Sequence, residues 1–183
     1  MIPKKCRVEQ LLPENDWTKS YYFARLRGIS NQIKSFNFKM LHKILPFKER
    51  LHQMLPNTSP MCSLCDNLFP ETPIHGLFQC RKNSQAAQVL ISLTKPYDSS
   101  ITPTKALMFD ITTRDNIYEL PVMLVLSTGL HFIWENRINK KGTTVFGIRS
   151  EIECLISLLR RSRTRRLKEA GEMIGNTLEN FLN

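Results

Sequence analysis

Hydrophobic residues recur along this chain at three- and four-residue spacing, and almost nowhere at the two-residue alternation of a strand. Ile33, Phe36, Met40, Leu41 and Ile44 fall on one broad arc, with Lys39 and Lys43 on its flank. They predict an amphipathic helix capped by Ser30 and ended by Pro46, in a helical pattern that reaches back to Thr18. Phe47 to Met54 continues as a short helix carrying Leu51 and Leu55 before Pro56, and Ser84 to Leu93 gives another. The most apolar helix is expected from Leu120 to Ile138, with Met123, Leu126, Gly129, Leu130, Ile133 and Trp134 in step, followed by a polar break from Asn139 to Thr144. Beyond it, Ile152, Leu155, Ile156 and Leu159, then Leu167, Ala170, Ile174, Leu178 and Phe181, predict one long amphipathic helix or two in series. Residues 105–118 are ambiguous. The fold class is therefore all-α.

Breaks in this pattern divide the chain into a lead-in over residues 1–29, a helical module over 30–94, a Pro/Ser/Thr-rich connector over 95–118 and a C-terminal helical unit over 119–183. The lead-in contains Pro3 and Pro13 and reads as irregular, or as an end cut from something longer. At 183 residues, 42% hydrophobic and 23% charged, with only 7 glycines, the chain can bury a core without disulfides. The longest apolar run, about 15 residues from Leu120 to Trp134, contains His131 and is short for a bilayer span, so no membrane role is expected.

Charge sharpens the picture. The formal net charge is +10. Residues 1–60 hold 11 basic and 4 acidic side chains, residues 61–118 hold 5 and 5, and residues 119–183 hold 10 and 7. Arg160, Arg161, Arg163, Arg165, Arg166 and Lys168 put six cations into nine residues. On a helix these form a broad positive collar suited to phosphates, or to a nuclear-import signal, although Glu151, Glu153, Glu169 and Glu172 also suit a salt-bridged exposed helix. A polyanion, RNA or DNA, is the natural partner of such a balance; a basic surface that only aids solubility is the plainer reading. Tyr21, Tyr22 and Phe36, aromatics that could stack on bases, sit away from the collar and fit a core better than a base-stacking platform.

The chemistry concentrates between Met61 and Cys80. Cys62, Cys65, His75 and Cys80 form C-x2-C-x9-H-x4-C, within 19 residues, a donor set that a tetrahedral Zn²⁺ takes from three thiolates and an imidazole. The two-residue gap lets a tight turn aim two sulfurs at one point. Thr72 and Pro73 read as a cap and first helical residue that present His75 in the first turn, with the helix ending or bending before Cys80. Four protein ligands leave no open position, so the expected role is structural. Ordinary buried thiols beside a surface histidine, or a redox pair at Cys62 and Cys65, are the alternatives; the Pro- and Thr/Asn-rich setting does not suit the second. His42 and His52 read as partly exposed helix residues rather than ligands. An odd cysteine count, metal spacing and a polar, basic Met1 to Lys5 point to a reducing intracellular location, nucleus or cytoplasm, and not to secretion.

The run from Ser35 to Leu51, with Leu45-Pro46 and Arg50-Leu51, followed by Cys62-x2-Cys65 and by Glu71-Thr72-x-x-His75-x4-Cys80, resembles the zinc-binding domain at the C-terminal side of reverse transcriptases from non-LTR (LINE-type) retrotransposons. The resemblance covers residues 33–80. Phe47 stands where that family usually has Thr, and the Trp that often follows the last cysteine is missing from Arg81 to Leu90. The resemblance implies that Cys62, Cys65, His75 and Cys80 are the zinc ligands of an accessory region that helps hold template RNA or target DNA near a polymerase.

The chain has no Tyr/Phe-x-Asp-Asp pair, and Asp110, Asp115 and Glu119 do not follow a nuclease pattern, so polymerase or nuclease activity is not expected. The reading is a zinc-stabilised, non-catalytic nucleic-acid-binding module, a fragment of a longer element. Lys39, Lys43, Arg81, Lys82 and the collar from Arg160 to Lys168 would contact phosphate. The alternative is a protein–protein module that docks on a reverse transcriptase body or on a second copy.

Overall fold

The computed structural model describes residues 28–113 and 115–182. The lead-in through residue 27, with Tyr21, Tyr22 and the start of the helical pattern at Thr18, lies outside the described residues.

Helix α1, Asn31–Leu41, starts where Ser30 accepts the Ile33 N–H at 3.3 Å. It stops at Leu41, five residues before the expected stop at Pro46, because Lys43 adopts a left-handed conformation (φ 53°) and closes the helix. Its N–H reaches the Met40 carbonyl at 3.0 Å and the Ile44 N–H reaches Lys39 at 2.9 Å, a Schellman pair. Ile44 consequently leaves the apolar arc and is 43% exposed, whereas Phe36, Met40 and Leu41 are buried. Helix α2, Lys48–Met54, buries no residue fully, and Leu55 just beyond it is exposed. His42 and His52 are partly buried, as expected, with His52 Nδ1 2.7 Å from the Thr58 carbonyl.

Helices α3, Ser84–Thr94, and α4, Pro103–Met108, follow the next turns, and a 3-10 turn at Asn116–Tyr118 leads into α5, Glu119–Ile138. The expected connector over 95–118 is itself packed. Ile101, Ala106, Leu107, Phe109 and Ile111 join the common core, the Tyr97 hydroxyl donates to the Met173 carbonyl at 3.0 Å, and buried Asp98 accepts the Thr112 N–H at 3.0 Å. Two further helices, α6 (Val145–Arg160) and α7 (Arg165–Leu182), pack on each other as a hairpin. The alternative of two helices in series is the one realised, and Ile152, Leu155, Ile156, Leu159, Leu167, Ala170, Ile174 and Leu178 are buried.

Helix α5 is the centre. It is in contact with α1, α3, α6 and α7, and every residue from Leu120 to Leu130 is buried. By length and composition the stretch Asn116–Ile138 could cross a membrane, longer than the apolar run read from sequence, yet 72% of its apolar window is buried inside the fold. A helix that is apolar all round belongs in a core when neighbours cover it. Asn37 of α1 donates through Nδ2 to Ser127 Oγ of α5 at 3.0 Å, fixing the register of the two helices inside that core. Among the described residues there is no strand, only an isolated antiparallel bridge between Met61 and Pro70.

Candidate metal centre

The hairpin-like loop that carries the first two cysteines is held by its own backbone. Cys62 N–H donates to the Phe69 carbonyl at 2.8 Å, Asn67 N–H to the Cys62 carbonyl at 2.9 Å, and Glu71 N–H to the Pro60 carbonyl at 2.8 Å. The reversal needs two consecutive left-handed residues, and Asp66 and Asn67 supply them, each at φ 58°. Short polar side chains tolerate that region better than any other non-glycine types.

The second half begins at Thr72, whose hydroxyl accepts the His75 N–H at 3.0 Å, with Pro73 leading the helical turn as its fixed φ favours. His75–Gln79 then opens into a π-helical turn, closed by Cys80 N–H on the His75 carbonyl at 2.7 Å. In an α-helix the fifth residue along lies roughly 140° round from the first. The widened turn and its end at Cys80 bring the two ligands together instead, in line with the break expected before Cys80.

The four ligand atoms all lie within 4.8 Å of one another. Cys62 Sγ is 3.9 Å from Cys80 Sγ, and Cys65 Sγ is 3.3 Å from His75 Nε2. With Zn–S of about 2.3 Å and Zn–N of about 2.0 Å, a tetrahedral ion has S···S edges of about 3.8 Å and S···N edges of about 3.5 Å. The donor set thus fits zinc in number, type and spacing. Cys62 and Cys80 are fully buried, Cys65 and His75 nearly so. Burial lifts the Cys62 thiol to about 11, raises Cys80 above the ordinary thiol value and lowers His75. The protein surroundings alone favour neutral donors, and the charge of a bound divalent ion is what makes them thiolates. With four protein ligands the ion serves as a staple.

Residues 4–86 match the family model described as zinc-binding in reverse transcriptase. This segment is a reverse-transcriptase zinc-binding module. The match begins near the N-terminus, so most of the stretch read as a lead-in falls within it, and it ends inside α3. No curated protein and no solved structure matches the chain. Structural zinc is this module's cofactor, and Cys62, Cys65, His75 and Cys80 form the Cys3His cluster that fits it.

The module's departure at Phe47 has a structural account. Phe47 gives α2 no side-chain cap, and the Glu71 carboxylate serves instead, accepting the Lys48 N–H at 3.3 Å. Freed from capping, Phe47 is buried, its ring 4.9 Å from that of Trp134 in α5. Gly76, in the zinc-binding turn, makes room for it: a Cβ there would lie 2.7 Å from Phe47 Cε1. Because Trp134 packs against the same ring, Gly76→Ala is expected to destabilise the module by about 1–3 kcal/mol, read as an earlier denaturation midpoint.

Arg137, near the C-terminus of α5, was not singled out by the sequence. It forms a buried ion pair with Glu71 and lies 4.8 Å from the Phe47 ring centroid and 4.7 Å from that of Trp134. Burial pulls its guanidinium down to about 10, so it remains charged at neutral pH. A lone cation in the last turn of an apolar helix was the only sequence signal, and it reads equally well as a helix-dipole partner.

The basic residues expected to contact phosphate are all exposed and sit on separate pieces of backbone. Lys39 and Lys43 close α1, and Arg81 and Lys82 follow the zinc-binding turn, with Arg81 paired to Asp66. The collar is not on one helix: Arg160 ends α6, Arg161 and Arg163 lie in the turn, and Arg165, Arg166 and Lys168 open α7. Ser162 N–H donates to the Leu159 carbonyl and Lys168 N–H to that of Thr164, which makes the corner. Arg160 pairs with Glu172 at 3.2 Å and Arg165 with Glu169 at 2.7 Å, both on the surface.

Proposed function

We propose that this chain is a non-catalytic, zinc-stapled nucleic-acid-binding accessory module of a retrotransposon reverse transcriptase, acting on RNA or DNA through the phosphate backbone. The observation that carries it is the α6–α7 corner. Arg161, Arg163, Arg166 and Lys168 project there exposed, with no ion pair among the described residues, on a chain of net charge +10. Cations held on a rigid corner without acidic partners bind phosphate by releasing its counterions, without reading bases. Fluorescence-anisotropy titrations of the zinc-loaded chain against single-stranded RNA and duplex DNA test it. Four phosphate contacts predict a log–log salt slope of about −3 between 50 and 200 mM salt. No binding at low salt overturns the reading.

A second reading rests on a different surface. A groove of about 620 Å³ runs between α1, α2, Ile74 and α4, floored by Met40, Leu45, Phe47 and Leu107. An apolar groove of this size favours docking on a reverse transcriptase body or a second copy. Salt-insensitive, concentration-dependent dimerisation in sedimentation experiments would favour it over the first.

A further inference from the structure

Two acid-free windows of the described chain meet at one place. Residues 72–97 hold no Asp or Glu, and neither do residues 136–150. The loop after the zinc-binding turn and the loop after α5 pack together through backbone: Thr143 N–H donates to the Lys82 carbonyl at 3.0 Å and to Asn83 Oδ1 at 3.0 Å. Contact this close requires Gly142, where a Cβ would lie 2.9 Å from the Lys82 carbonyl oxygen and 3.0 Å from Lys82 Cβ. Lys140 and Lys141 stand immediately before that glycine. Three lysines from positions nearly sixty residues apart are thereby set side by side and exposed.

Their frame is tied to the metal centre. Asn83, fully buried, donates through Nδ2 to the Gly76 carbonyl at 2.8 Å, and the N–H groups of Asn83 and Ser84 reach the carbonyl of the zinc ligand Cys80 at 2.7 and 2.8 Å. Asp66 is taken by Arg81, and Lys82, Lys140 and Lys141 form no ion pair among the described residues. Lysines at the C-terminus of α5 complement its dipole, which accounts for Lys140 and Lys141 but not for Lys82, brought beside them by a separate segment. Like charges held together on a rigid, acid-free frame repel one another, and a polyanion relieves that repulsion without the entropy cost of gathering the lysines.

We propose that Lys82, Lys140 and Lys141 form a second phosphate-binding surface, built across the seam between the zinc module and the C-terminal helices, that takes the sugar-phosphate backbone of a nucleic acid. It rests on the nucleic-acid reading above and extends it to residues 140 and 141, outside the family segment. The test is the full, zinc-loaded chain against labelled single-stranded RNA and duplex DNA, wild type beside Lys82→Gln/Lys140→Gln/Lys141→Gln and beside Arg161→Gln/Arg163→Gln/Arg166→Gln. Losing three phosphate contacts flattens the log–log salt slope by about 2 on single strands, at about 0.7 per phosphate, with zinc content and circular dichroism unchanged. Wild-type binding with the same slope and affinity in the lysine triple variant overturns this surface and leaves the corner in place. No wild-type binding at 50 mM salt overturns the nucleic-acid reading and this surface with it. An equal flattening in both triple variants supports two separate contact surfaces.

Discussion

His75→Ala is expected to abolish stoichiometric zinc and to cost the protein much of its cooperative fold. Wild type will carry one zinc per chain, and the variant well below that, because three thiols without the imidazole lose the tetrahedral set. Structural zinc sites contribute apparent binding free energies of about 10–16 kcal/mol at neutral pH, and net stabilities are only about 5–15 kcal/mol. Even a loss of about 4 kcal/mol lowers Tm by roughly 8–16 °C for a chain of this size. The effect will not stay local. Leu77 and Phe78, from the same turn as His75, belong to the core that also holds α5, α6 and α7, so loosening the turn reaches the far helices. Exposed Cys154→Ser, away from the cluster, provides the control and will change neither metal content nor Tm. Elemental analysis and thermal circular dichroism, with and without a strong chelator, decide it. Metal-free wild type with unchanged melting would reject the staple.

The metal centre was legible because its information is local. Ligand spacing, Thr72 and Pro73 all lie within one short window, and each acts over a few residues by capping or ring geometry. The long core helix was legible for the same reason, as a continuous apolar run of helical length ended by a polar break. Helix ends were read less well, and the cause is specific. The helices α1, α4 and α5 close with Lys43, Phe109 and Lys140 in the left-handed conformation, positions where glycine is the usual signal. Where a polar cluster followed, as from Asn139 to Thr144, the break was still visible. Where none follows, the expected α1 runs too long, and α4, only six residues inside a Pro/Ser/Thr-rich stretch, is too short to show a period. The α6–α7 corner hid in the cation run, although Thr164 before Arg165 is a sound cap for a new helix. The partnership of Glu71 with Arg137 had no sequence signal at all, since it joins residues 66 positions apart through the tertiary fold.

That partnership carries the second large expected effect. Arg137→Met will cost about 3–5 kcal/mol, because it leaves the Glu71 carboxylate, 1% exposed, without its counter-charge. Glu71→Gln will cost less. Its amide oxygen can still accept the Lys48 N–H, and Arg137 keeps the faces of Phe47 and Trp134. The double variant Glu71→Gln/Arg137→Met removes both charges and will recover most of the loss, giving a coupling energy above about 2 kcal/mol in a double-mutant cycle by urea denaturation. Additive costs, within about 0.5 kcal/mol, would show that the two residues act separately. The sign with pH follows from Arg137: pulled down to about 10, it is charged throughout the neutral range, so the coupling is the same at pH 6.5 and 8.5 and fades only as pH rises past about 10. The pair also reaches the metal. Glu71 immediately precedes the Thr72 cap of the zinc-binding turn, and its own N–H anchors to Pro60 beside the first cysteine. Arg137→Met will therefore speed zinc release to a chelator as well as lower stability, and a variant that loses stability with unchanged release would confine Arg137 to packing alone.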